Sequence, residues 1–175
     1  IFYLHEDPIQ NIKWHVDKHV VKMATEYAQL LSTAHRYLDG DMYIDKTANG
    51  RNIKRWKLSD DRESVLYKAS HVNHPCNVWV RESKSNYRLM YQIYMACLSE
   101  YTYRYGKVHG SSKPALHLLR SPNNIKDIGL TQLPQAMPED CKVPNDPIQG
   151  YKNYYINYKN GFANWKSREK PEWYA

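Results

Sequence analysis

Residues 7–38 read DPIQNIKWHVDKHVVKMATEYAQLLSTAHRYL, and the fold turns on how this stretch is read. Ile9, Ile12, Val16, Val20, Met23, Tyr27, Leu30, Ala34 and Leu38 recur at steps of three and four, the apolar face of one long amphipathic helix. Asp7 and Pro8 suit its cap and first turn, and Asp39–Gly40 its end. A second stripe, His15, His19, Lys22, Glu26, Gln29 and Thr33, keeps the same steps on a face about 100° away. Two imidazoles, an amine and a carboxylate in line beside a core predict a lined cleft. The alternative is a solvated face on which Lys22 and Glu26 form an ordinary i, i+4 pair.

Outward from this helix, residues 41–58 hold Asn49–Gly50 and the bases Arg51, Lys54, Arg55 and Lys57 around Trp56. They predict a basic-aromatic loop with a turn at Asn-Gly. A short helix is expected over Val65–Ala69, then a bend at His71–Cys76 where Pro75 disfavours helical geometry at His74. Helical spacing resumes from Asn77 to Tyr105 and stops at Gly106. Six prolines between 107 and 147 predict an irregular arm with one short helix at Ala115–Arg120. A last helix is expected from Pro147 to about Trp165, followed by a basic tail ending in Trp173, Tyr174 and Ala175. The expected fold is all-α: one domain over residues 1–175, with three main helices and long irregular connections.

The 175 residues suffice for one core. The formal charge of +7, from 25 basic and 18 acidic residues, favours a polyanionic partner. Sixteen Tyr and five Trp stand against two Phe, a balance that suits stacking on bases, or equally a core in which Tyr replaces Phe. Cys76, Cys97 and Cys141 are odd in number and widely spaced, which predicts no disulfide framework and a reducing compartment. No run approaches a membrane span, and no export signal opens the chain, so a cytoplasmic protein is expected, with one or two residues preceding Ile1.

Three groups of residues could carry chemistry. In the polar stripe, Glu26 suits a general base and the neighbouring His or Lys a phosphate contact. His15, His19, His71, His74 and Cys76 offer donors for a zinc site, although no Cys-x-x-Cys is present and Val16 stands where a zinc protease has Glu; no metal is expected. Tyr101–Lys113 interleaves aromatics with Arg104, Lys107, His109 and Lys113, as does the tail around Trp165 and Arg168. Nucleophile elbows, phosphate-binding glycine loops and dinucleotide fingerprints are missing.

In their order along the chain, these pieces resemble the pyrimidine-dimer DNA glycosylase family, the small phage endonuclease V type, and more closely its uncharacterised phage relatives. The likeness rests on an apolar lead-in before a helix bearing His15 and Glu26–Tyr27, and on His71–Val72 before a second long helix with Ala96-Cys97-Leu98. It extends to Leu133-Pro134-Gln135 and a Pro171-x-Trp173-Tyr174 end, with His15-x-Asp17-Lys18-His19 and His74-Pro75-Cys76 shared with the phage relatives. The resemblance implies an all-α glycosylase with AP-lyase activity on damaged or modified pyrimidines, working in base-excision repair in a phage-infected bacterial cytoplasm. It implies no cofactor, and as partner a kinked DNA duplex with an extruded base; no membrane or protein partner is expected. By this likeness an amine at Ile1 would attack the sugar C1′, assisted by Glu26, with His15, His19, Lys22 and Lys18 alongside. Aligned on His15, the family's glutamate falls at Lys22, so a Schiff base on Lys22 or Lys18 is the alternative. Phosphate and base contacts are expected at Arg36, His71, His74, Arg81, Arg104, Lys107, Lys113, Trp165 and Arg168. Two other readings stay open: a DNA- or nucleotide-binding protein without glycosidic chemistry, and a metal-dependent nuclease.

Overall fold

The expected helix over residues 7–38 is broken after its first two turns. In a computed structural model, which describes residues 1–174 and so leaves out Ala175 of the tail, α1 spans Pro8–Lys13 and α2 spans Asp17–Asp39. No Gly or Pro marks the break. Its cause is remote: Arg104 donates to Lys13 O at 3.0 Å, His15 O at 2.9 Å and Asp17 Oδ1 at 2.9 Å, and Trp165 Nε1 donates to Trp14 O. A corner whose carbonyls find charged donors elsewhere gains more than one more helical turn supplies.

The chain is mostly helical but not all-α, and its three expected main helices are six among the described residues. The stretch expected as a loop is an antiparallel hairpin, β1 (Asp41–Lys46) and β2 (Asn52–Lys57), with Gly50 at φ 81° in its turn. The helix expected over Val65–Ala69 is absent; a single 3-10 turn, Asp61–Ser64, precedes it. The chain there wraps around two guanidinium groups instead: Arg36 takes the carbonyls of Glu63, Leu66 and Tyr67, and Arg55 that of Ala69. The next helix is split into α3 (Pro75–Glu82) and α4 (Lys84–Tyr105) at Ser83, whose hydroxyl donates to Gly129 O while Asn86 caps the carbonyl of Trp79. Short α5 (Ala115–Leu119) lies in the proline-rich arm, and α6 (Pro147–Tyr158) ends before Trp165, giving way to a 3-10 turn at Asn160–Phe162.

Two compact units share these elements. One is built from Ile1–Tyr27, Gln92–Ser112 and the chain from Gln132; the other from Ala28–Tyr91 and Lys113–Thr131. The first is packed around Leu4, Ile12, Val20, Met23, Ile93 and Cys97, the second around Leu31, Leu58, Trp79, Val80 and Met90. The excess of Tyr over Phe has a physical reason in both cores. Tyr27, Tyr87, Tyr94, Tyr151 and Tyr155 are fully buried, and each hydroxyl has a partner: His15, Leu118 O, Ser111 O, Pro134 O and His19. A phenol buried with its hydroxyl satisfied contributes apolar area and fixes a neighbour. No helix among the described residues is long and apolar enough to cross a membrane.

Candidate functional site

The site lies in the first unit, where the N-terminal segment meets the start of α2. Asn11, buried on α1, accepts the amide of Leu4 through Oδ1 at 2.7 Å and donates from Nδ2 to Phe2 O at 3.3 Å. Phe2 N–H donates to Tyr27 Oη at 3.2 Å. These bonds lay the first residues along the two helices and set the phenyl ring of Phe2 flat on His19.

The partners of His15 assign its tautomer. His15 Nδ1 stands 2.8 Å from Asn11 O, which can only accept, so Nδ1 carries the proton; Nε2 then accepts from Tyr27 Oη at 2.8 Å. Tyr155 Oη accepts from Val16 N–H and lies 2.7 Å from His19 Nδ1, so the phenol bridges the corner to the ring. Burial pushes His15 down to about 3 and His19 to about 2. His15, Lys159, Lys22 and the N-terminal amine add positive charge that further disfavours protonation of His19. Near neutrality neither ring is charged.

The residues of the expected stripe therefore separate. His15 lies in the corner before α2, and with His19 it is buried, 0% and 4% exposed. Lys22 and Glu26 remain at the surface, their side chains 62% and 41% exposed and Nζ 3.4 Å from Oε1. Around His19 the structure adds residues that helical spacing alone did not single out. Lys159 Nζ lies 4.5 Å from the ring of Tyr154 and 5.8 Å from that of Phe2, and Lys18 Nζ 4.5 Å from Phe162. Phe162 stands edge-on to His19 at 5.7 Å. The result is a patch of aromatic faces edged by Lys18, Lys22 and Lys159, with one carboxylate, Glu26, on its rim. Lysines beside half-buried aromatic rings suit a ligand that is planar and anionic at once, as a nucleotide is.

The expected phosphate contacts divide in the same way. Arg36 is 3% exposed and spends all five N–H groups on Tyr67 O, Trp56 O, Glu63 Oε2, Glu63 O and Leu66 O. Arg104, also 3% exposed, is held by Glu100, Asp17 and two carbonyls. These two tie the fold together and have no capacity for DNA. Arg168 pairs with both oxygens of Glu100 and lies over Tyr103, Trp165 donates to Trp14 O, and Arg81 donates to Val72 O. His71, His74, Lys107 and Lys113 are exposed. Among the described residues no three His, Cys, Asp or Glu side chains gather as a metal centre would need.

A cleft of about 580 Å³ in the second unit is lined by His35, Asp60, Arg62, Leu116, His117 and Leu119. Arg62 fills its donors with Asp60, Asp39 and His35 Nδ1, and His35 Nε2 meets Tyr87 Oη at 2.7 Å. Burial, with Arg62 opposite, holds His35 at about 4. His35 and Arg62 are thus bonded within the protein and form a structural network. No family model, curated protein or solved structure matches the chain.

Proposed function

We propose that this protein is a DNA-base-processing enzyme, a glycosylase with AP-lyase activity on damaged or modified pyrimidines, resembling the pyrimidine-dimer glycosylases. One observation carries the reading: an exposed amine and an exposed carboxylate, Lys22 and Glu26, face each other at 3.4 Å beside the Phe2–His19 stack. In this mechanism Glu26 takes a proton from Lys22, and the neutral amine attacks the sugar C1′. The glycosidic bond breaks, with its electron pair leaving on the base, and opening of the sugar ring gives a Schiff base on Nζ. Lys18 and Lys159 hold phosphates, and the aromatic faces receive the extruded base. An α-amine at or just before Ile1, the position the resemblance implies, is the alternative nucleophile.

Borohydride reduction on duplexes containing modified or dimerised pyrimidines tests this. A covalent adduct is expected, and the mass of its tryptic peptide tells Lys22 from Lys18 or the N-terminal amine. Lys22→Ala and Glu26→Gln should abolish it. Neither adduct nor base release would sink the enzyme reading. A second reading, binding without glycosidic chemistry, draws support from His15 and His19, since both imidazoles stay neutral near neutrality and have no proton to donate from a charged form.

A further inference from the structure

The β1–β2 ribbon takes no part in the chemistry proposed above. Its register pairs Met42 with Trp56, Ile44 with Lys54 and Lys46 with Asn52, and alternation puts these six side chains on one face. Met42 and Ile44 are 51% and 55% exposed, and Lys46, Asn52 and Lys54 are exposed beside them. From Asp41 to Lys57 five bases, Lys46, Arg51, Lys54, Arg55 and Lys57, meet two acids, Asp41 and Asp45. No third strand pairs with either edge among the described residues.

A two-stranded ribbon is marginal by itself, and this one is fastened at its base. Arg36 Nη1 donates to Trp56 O at 3.0 Å; the Trp56 ring lies 5.2 Å from Tyr37, which carries the Arg81 guanidinium at 3.9 Å. At Gly40 an added Cβ would come within 2.6 Å of Arg36 O and 3.0 Å of Lys57 O, so the end of α2 closes directly on β2. The face of Met42 and Ile44 is thus a held surface, apolar from its base to its middle, with Lys54 and Lys46 from the middle to the turn and Arg51 in the turn itself. A bare apolar strand is normally covered or blunted. Here the surrounding charge selects a polyanion as the cover.

We infer that this ribbon enters the major groove of duplex DNA, Met42 and Ile44 against base edges and Lys46, Arg51 and Lys54 on the flanking phosphates. A B-form major groove, about 12 Å wide, admits a two-stranded ribbon, and its thymine methyls offer apolar contact. The A-form groove of duplex RNA is too narrow. Arg55, pinned to Ala69 O, stays with the protein. The choice of DNA rests on the reading of the previous subsection; the placement of the ribbon does not depend on the lyase chemistry.

The test uses an undamaged mixed-sequence DNA duplex and fluorescence anisotropy across a salt series, with circular dichroism as the check on folding. K46A/R51A/K54A removes three exposed bases. Its affinity should fall at least tenfold, and the slope of log Kd against log salt should drop by about 2 to 3. M42A/I44A should weaken binding several-fold with the slope unchanged. Dimethyl sulfate should find guanine N7 protected by the wild type and open with the triple variant. Unchanged binding by the triple variant, protection of adenine N3 in place of guanine N7, equal binding of duplex RNA, or no duplex binding by the wild type overturns the inference. So does self-association that M42A/I44A abolishes. Ribbon-dependent binding without any borohydride adduct sinks the lyase reading alone; an adduct that forms while the ribbon variants bind as wild type sinks the ribbon alone.

Discussion

The imidazole of His19 lies on the phenyl ring of Phe2 with centroids 3.9 Å apart and planes 12° from parallel. That contact, with Tyr155 on Nδ1, keeps a histidine neutral amid lysines. Phe2→Ala opens one face of the ring to water, so the His19 pKa should rise by more than one unit from about 2. An NMR titration of the His19 ring checks this; an unmoved value would show that the phenyl ring does not desolvate it.

Acid should unfold the protein through its histidines. His15, His19 and His35 titrate lower when folded than the ordinary 6.5, so the unfolded chain binds more protons between the two values. Stability is then complete above pH 6.5 and is lost as pH falls toward 4. By pH 5 each histidine costs roughly 2 kcal/mol, and the three together lower Tm by more than about 10 °C. Urea melts at pH 7 and pH 5 measure it, and equal midpoints would refute the burial of these rings.

The Lys22–Glu26 pair should matter for activity and hardly at all for folding. An exposed i, i+4 pair contributes about 0.3 to 0.5 kcal/mol. Lys22→Ala and Glu26→Gln are therefore expected to shift Tm by no more than about 2 °C, while lowering single-turnover base release at least a hundredfold. A large loss of Tm would point to a structural role instead.

Arg36 and Arg104 should tolerate no replacement. Arg36→Lys supplies one ammonium where five N–H groups are bonded, leaving carbonyls of Glu63, Leu66 and Tyr67 unpaired. A loss of about 3 to 5 kcal/mol is expected for either residue changed to Lys. Denaturant midpoints decide; near-wild-type stability would return both residues to the list of DNA contacts.

Much of this was readable where the cause is local. Pro8 and Pro147 each open a helix, Gly106 follows the last residue of α4 at φ 69°, and Asn49–Gly50 turns the hairpin, while Pro75, read as part of a bend before a helix from Asn77, opens α3 itself. The stripe of Val20, Met23, Tyr27 and Ala34 is core as its spacing implied. The breaks at Trp14–Val16 and Ser83 were not readable, because Arg104 and Gly129 act from far along the chain. His19 looked like a cleft residue for the same reason: its partner Tyr155 stands 136 positions away. Exposed Met42 and Ile44 gave no strand signal, since β1 and β2 are short and bury little.

The three thiols should be silent in the folded protein. Cys76, Cys97 and Cys141 form no disulfide and are buried, and burial pushes the Cys97 thiol up. Ellman's reagent is expected to titrate none at pH 8 and all three in guanidinium. A fast-reacting native thiol would show that one of the three is reached by solvent in the folded state.

Each of the two long helices supplies residues to both compact units: α2 passes from one to the other at Tyr27–Ala28, and α4 at Tyr91–Gln92. Dissection by truncation therefore has nowhere to cut, since no single scission separates the residues of one unit from those of the other, and two of the four crossings fall inside a helix.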